Sequence, residues 1–239
     1  LARRYWYVIL TYMIMQFSGL LFAPLLYVLT PLALYDASIY WSVFRFIAGL
    51  AVVLWLMRPD MQQNTFRNNN QASLGQVVGW AAAGLVMAYI ANSIASYIET
   101  DLLGINPNSE NTQMIMDITR SAPIFVIVTT IIAPILEEII FRKIIFGELY
   151  KRVNFFIAAA ASALIFSIIH GEPQHTLVYA SMGFVFAFLY VKTKRIIVPI
   201  LVHMAMNTIA VLIQLTLDPE DLEKMQQQLD QMNTALLLF

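Results

Sequence analysis

Seven runs of apolar residues, each parted from the next by polar or turn-forming positions, set the pattern of this chain. They cover roughly 5–29, 39–57, 77–98, 122–147, 154–170, 176–191 and 196–217. A hydrocarbon core about 30 Å thick takes ~20 residues of helix, at 1.5 Å per residue. Each run is near that length, with the fifth and sixth at its lower limit. No period-two alternation marks a barrel, and backbone groups in lipid must be satisfied within their own segment. The pattern therefore predicts an all-α fold, a polytopic transmembrane helix bundle of about seven spans.

The segments between the runs are of two kinds. Residues 58–76 contain Asn68, Asn69 and Asn70 and read as a loop. Residues 99–121 are polar, turn at Asn106-Pro107, and leave room for a short surface helix over 109–120. After the last run, Asp218 stands as N-cap before Pro219, with Glu220 and Asp221 in the first turn. Leu222, Met225, Leu229, Met232 and Leu236 then form an apolar stripe. That stripe predicts a helix lying on the membrane surface; a partner-binding helix and a disordered tail are the alternatives. The chain thus divides into three N-terminal spans with polar loops (1–121), a four-span core (122–217) and an amphipathic tail (218–239). No internal repeat or low-complexity tract is visible.

Composition agrees with lipid as the solvent. Hydrophobic residues make up 59% of the chain and charged ones 12%, against about 25% charged in a soluble domain. The net charge of −1 gives no field that points to nucleic acid. The absence of cysteine removes any disulfide framework, thiolate nucleophile or thiolate metal site. Arg3 and Arg4 precede the first run as in a signal peptide, but the run is too long and lacks a clear small-residue cleavage site, so it reads as an anchor. With the N-terminus in the cytoplasm, Arg3, Arg4, Arg58, Arg67, Lys143, Lys151, Arg152, Lys192, Lys194 and Arg195 all fall at cytoplasmic ends or loops. Only Arg120 and Lys224 fall outside, and Arg45 sits unassigned within the second run. The expectation is a multi-pass protein of the cell membrane with a cytoplasmic N-terminus and an outer C-terminus.

Ionisable residues inside spans cost roughly 2.5–3.5 kcal/mol each on insertion scales, so they need a reason. The fourth run holds Glu137, Glu138 and Arg142. Glu138 and Arg142 are four apart and share a helical face, where they pair. Glu137 is turned about 100° away, and a carboxylate in apolar surroundings without a strong partner suits a general base. Pro134 cannot donate to the carbonyl of Thr130, so the helix should bend or open just before the glutamates. The fifth run ends with Phe166 and His170 on one face, and the seventh places His203 and Asn207 on one face. Taken alone, each has a structural reading: a buried ion pair, an interfacial histidine, an Asn that bonds helix to helix. His175 reads as a loop residue.

Taken together these residues meet the needs of amide hydrolysis. Glu137 lies 13 residues before Tyr150 and His170 16 residues after Asn154, which sets both at similar depth on an antiparallel hairpin, within about 5 Å. They are placed to hold and activate a water. His203 and Asn207 supply donors to a tetrahedral oxyanion, and no serine or cysteine nucleophile is required. Glu138, Arg142 and Phe166 serve as structural support.

The three motifs, Glu137-Glu138-Ile139-Ile140-Phe141-Arg142, Phe166-Ser167-Ile168-Ile169-His170 and His203-Met204-Ala205-Met206-Asn207, resemble the CAAX protease and bacteriocin-processing family of intramembrane proteases. That family includes type II CAAX prenyl endopeptidases and bacterial abortive-infection-like membrane proteins. Its pattern is Glu-Glu-x-x-x-Arg, Phe-x-x-x-His and His-x-x-x-Asn, in this order on separate helices. The resemblance implies an intramembrane endopeptidase acting on membrane-associated peptides or proteins, with Glu137, His170, His203 and Asn207 as its working residues. Metal-dependent and metal-free mechanisms are both argued for the family. The contiguous His-Glu-x-x-His signature is absent here, which favours no cofactor, while zinc held by His170, His203 and Glu137 stays open. The expected partners are the lipid bilayer and a peptide or membrane-protein substrate. A non-catalytic membrane immunity or scaffold protein that keeps the polar cluster for packing is the competing class. A transporter is disfavoured by the lack of an inverted repeat.

Overall fold

The computed structural model describes residues 2–61 and 71–216 of the chain. The tail stripe beginning at Leu222 and Asn68–Asn70 lie outside the described residues. Within them the chain is all-helical. Helix α1 (Arg3–Phe17) is followed by α2 (Gly19–Leu29), α3 (Leu34–Met61) and α4 (Leu74–Tyr97), which ends in a π turn (Ile98–Leu102). The short helix in the polar segment is α5 (Glu110–Ser121). A continuous helical stretch over 125–150, here α6, alternates α and π geometry, and α7 (Phe155–Ile169), α8 (Thr176–Thr193) and α9 (Ile197–Thr216) complete the bundle.

Local chemistry fixes the helix ends. Ser73 and Gln76 form a reciprocal capping box that starts α4, and Asn154 Oδ1 accepts from the Ile157 amide to start α7. Asn106 Oδ1 accepts from the Asn108 amide, the turn expected of Asn-Pro. The first apolar run is not one straight helix. It bends by 46° between α1 and α2, and Arg45 on α3 lies against the bend. Its Nη1 donates to the carbonyls of Met15 (3.0 Å) and Gln16 (2.6 Å), while Trp41 Nε1 donates to Ser18 Oγ. A charge that the sequence left unassigned thus bonds to the backbone at the bend.

By length and composition α3, α4, α8 (with its preceding turn) and α9 can each cross a membrane, and the bent α1–α2 pair makes a fifth. The other two expected runs differ for physical reasons. α7 has only 15 residues, and α6 carries Glu137, Glu138, Arg142, Lys143 and Glu148 and changes helical register four times. Both nevertheless sit inside the bundle: α6 packs on α7, α9 and α3, and α8 packs between α4 and α7. Gly84 permits the close approach of α4 to α8 and α9, since a Cβ there would stand 2.6 Å from Leu189 Cδ1 and 3.0 Å from Val202 Cγ2.

The bundle has two distinct ends. At one, Arg4 pairs with Asp60, whose backbone carbonyl accepts from Lys143 Nζ at 3.0 Å, and Ala72 bonds to Thr193. At the other, Glu99 at the end of α4 accepts from the Leu177 and Val178 amides at the start of α8 (2.7 and 3.2 Å) and meets His175 Nδ1 at 3.1 Å. Glu172 accepts from Ser109 Oγ, the Asn111 amide and Tyr179 OH (2.9, 3.1 and 2.7 Å). Two carboxylates therefore cap two helix N-termini across the same end, where the helix dipole favours negative charge. His175, read from the sequence as a loop residue, does lie in a short turn, but it is buried there against Glu99.

Candidate active site

Pro134 shapes the site by what it lacks. In the turn before it the helix has π register, with the Ala133 amide bonded to the Val128 carbonyl. In that register the next carbonyl, that of Thr129, would bond to residue 134, which is proline and has no N–H. Asn207 Nδ2, from α9, stands in that place, 2.9 Å from the Thr129 oxygen. The opening expected at Pro134 is thus a π turn, and a motif residue completes it.

The glutamates follow one turn later, where the helix enters a second π stretch (Glu138–Phe146). Glu138 is fully buried; its Oε2 lies 3.3 Å from Arg142 Nε and its Oε1 2.9 Å from His203 Nδ1. The Arg142 guanidinium is itself buried, over the rings of Phe166 (4.6 Å) and Phe186 (5.1 Å). Gly183 lets α8 approach α7 closely, since a Cβ there would come within 2.9 Å of Ala163 Cβ. The paired Glu138 carboxylate only accepts hydrogen bonds, so His203 donates from Nδ1. Its other ring nitrogen, Nε2, faces Glu137 Oε2 at 3.6 Å, just beyond direct hydrogen-bond range. His203 therefore lies between the two adjacent glutamates.

His170 closes the group. Its Nδ1 is 2.7 Å from the Phe166 carbonyl, which can only accept, so Nδ1 is the donor and Nε2 is left as an acceptor when the ring is neutral. Its ring rests 4.3 Å from the Phe166 centroid and 4.6 Å from that of Tyr179. The Phe166 ring contacts both histidines, with His203 at 6.4 Å. Glu137 keeps partial exposure (14% of its side chain) while Glu138 has none.

The sequence pairs Glu138 with Arg142, and the structure shows that pair. It places Glu137 opposite His170 and puts His203 across the cavity; in the structure the ring nitrogen facing Glu137 belongs to His203. Sequence patterns gave no sign of Tyr179 and Phe186, which look like ordinary apolar residues of the sixth run. Glu99 and Glu172 had a readable signal, as acids at the boundary of an apolar run and a turn. At Glu172 burial pushes the carboxyl up, but the hydrogen bonds from Tyr179, the Asn111 amide and Ser109, with His175 nearby, outweigh it and hold the group below the usual carboxylate range. Among the described residues no group of three or more His, Cys, Asp or Glu is arranged to hold a metal ion.

Ionisable side chains gathered inside an apolar bundle place the chain in the class of membrane-embedded enzymes, and comparison with known proteins says which kind. Residues 119–209, which include all three motifs, match the Rce1-like type II CAAX prenyl endopeptidases. YdiL of Bacillus subtilis (strain 168), a candidate membrane peptidase by its name, is 45% identical over the whole of this chain and 98% of its own length. The membrane-embedded CAAX protease MroQ of Staphylococcus aureus (strain USA300) is 39% identical over 64% of each chain. The UPF0177 protein YvdC of Lactococcus lactis subsp. lactis (strain IL1403) is 28% identical over 59% of this chain and 52% of its own. No solved structure matches. This chain belongs to the Rce1-like CAAX protease family of membrane peptidases.

Proposed function

We propose that the chain is an intramembrane endopeptidase that hydrolyses peptide bonds of membrane-associated peptides or proteins with a water activated by Glu137 and His170. The observation that carries this reading is the placement of His203 between Glu138 and Glu137 inside an apolar bundle. Glu137 and the free Nε2 of His170 hold the water. As its oxygen attacks the scissile carbonyl, Glu137 takes one proton. The oxyanion that forms accepts from Nε2–H of His203, which for this step carries protons on both ring nitrogens between the two glutamates and is fixed by its donation from Nδ1 to Glu138, and from the second amide hydrogen of Asn207. Collapse breaks the C–N bond and Glu137 returns its proton to the leaving amine, giving a carboxylic acid and an amine. Lys and Arg placement further supports a cytoplasmic N-terminus and an outer C-terminus.

The test uses the purified full chain in lipid vesicles with two fluorescence-quenched peptides, one farnesylated on a C-terminal Cys-aliphatic-aliphatic-X sequence and one apolar and unprenylated. Wild type should cleave at least one of them and Glu137→Gln should lose about 10²–10⁴-fold of that rate. Equal rates for the two proteins would overturn the assignment. A preference for one peptide would show whether prenylation is required.

A further inference from the structure

Helix α8 carries none of the three motifs, yet two of its side chains lie against the two histidines. Tyr179 and Phe186 are seven residues apart, two helical turns, so they project from one face. The Tyr179 ring meets His170 at 4.6 Å with 34° between planes, and the Phe186 ring stacks on His203 at 5.1 Å with 27°. We propose that α8 is the orienting element of the site, with Tyr179 the positioning residue for His170 and Phe186 the positioning residue for His203.

A hydrogen bond at one nitrogen fixes one point of an imidazole and leaves it free to swing about that bond. Both histidines are held by hydrogen bonds at Nδ1, His170 to the Phe166 carbonyl and His203 to Glu138. A ring packed against the imidazole, stacked at 27° for Phe186 and tilted at 34° for Tyr179, restricts that swing and so directs Nε2, the nitrogen left for chemistry. The two aromatic rings are themselves anchored. Phe186 is fully buried, with Arg142 over it at 5.1 Å. Tyr179 is held at its far end by the hydrogen bond from its hydroxyl to Glu172, which is tied to Ser109 and Asn111 at the start of α5. Orientation of His170 is thereby linked to the docking of the α4–α5 segment. Phe166 touches both histidines but belongs to a motif already; Tyr179 and Phe186 are the additions that α8 makes.

This inference deepens the hydrolase reading and rests on it for its kinetic arm only. The chain has three histidines, His170, His175 and His203, so full-length protein labelled at histidine nitrogens and placed in nanodiscs gives three resolvable rings. Phe186→Leu should change the tautomer balance and increase the motion of His203 while His170 and His175 keep theirs. Tyr179→Leu should do so for His170 and leave His203 as a control for folding. Tyr179→Phe, which keeps the ring and loses the hydroxyl anchor, should leave His170 more ordered than Tyr179→Leu does and less ordered than wild type. Phe186→Met, which fills the space without a ring, stands in for Phe186→Leu should that variant fail to fold. In the peptide assay both Leu variants should lower kcat about 10- to 100-fold, the penalty of a misplaced reacting group, with KM changed less than about 2-fold. Unchanged tautomers and order in both Leu variants would overturn the proposal, as would wild-type kcat in variants where Glu137→Gln abolishes turnover. Should Glu137→Gln leave turnover intact, the hydrolase reading fails and the imidazole signals still decide the positioning role.

Discussion

Two adjacent glutamates in one helix hold different positions, and single substitutions should separate them. Glu138 is fully buried between Arg142 and His203. Glu138→Gln leaves the Arg142 charge with no counter-ion, a change of roughly 3–5 kcal/mol for a buried pair broken from one side, and should lower the thermal unfolding midpoint clearly. Glu137→Gln removes a group with partial exposure and should leave the midpoint close to wild type while activity is lost. Equal melting of the two variants in the same detergent would refute this division. Asn207 makes a second residue-scale case. Because its amide bonds to the Thr129 carbonyl that Pro134 leaves without a partner, Asn207→Ala should destabilise by about 1–3 kcal/mol, the penalty of an unsatisfied buried group. Pro134→Ala restores a backbone N–H, so the double variant should recover part of that loss; a strictly additive double-mutant cycle in thermal melts would show that the two do not interact. Glu137, Glu138, Arg142, His170, His203 and Asn207 were all legible because a polar residue in an apolar run demands an explanation. Apart from the Glu138–Arg142 pair on one helix, their mutual contacts were not, because spacing gives the face of a helix but not which neighbour that face meets.

At the scale of elements, the apolar runs predicted where helices stand and failed where helices change character. The Ser18-Gly19 pair within 5–29 is a local kink signal that hydropathy does not register, and its partner Arg45 lies on another helix. Nor does hydropathy register the π stretches of α6, which are set by Pro134 and by the packing of buried charges. The α5 helix was legible from its polarity and caps, but its attachment to the 170–175 turn through Glu172 was not. That attachment has a pH dependence. Glu172 titrates below the usual carboxylate range in the folded protein, so its contribution to stability is fully present above the unfolded-state value and is lost as pH falls through the lower, folded one. Amide hydrogen exchange over 105–121 should therefore rise, relative to the core of α9, as pH drops below about 4. Glu172→Gln should raise exchange there at neutral pH and flatten the response. An unchanged acid response in that variant would assign it to other groups.

For the whole molecule, the proposed orientation rests on the two polar ends of the bundle, since Lys and Arg concentrate at the end built by Arg4, Asp60 and Lys143. An alkaline phosphatase reporter fused after Phe239 should be active on the outer side, and activity confined to the cytoplasm would reverse the proposed orientation.

The bond from Arg45 to the carbonyls at the α1–α2 junction has a consequence for the order of assembly. Arg45 follows the end of the first run by 16 residues; within the run the Ser18 hydroxyl donates to the Met15 carbonyl at 3.0 Å, while the Gln16 carbonyl takes its side-chain donor from Arg45. If Arg45 sets the bend, the run enters the bilayer straighter than it finishes and bends fully only when α3 arrives beside it. Since the chain has no native cysteine, spin labels at exposed Trp6 and Val28 report the difference directly. In Arg45→Leu their separation should lengthen by about 2–3 Å, the geometric effect of straightening two arms at 1.5 Å per residue. An unchanged distance would mean that the bend is intrinsic to the first run and precedes its partner.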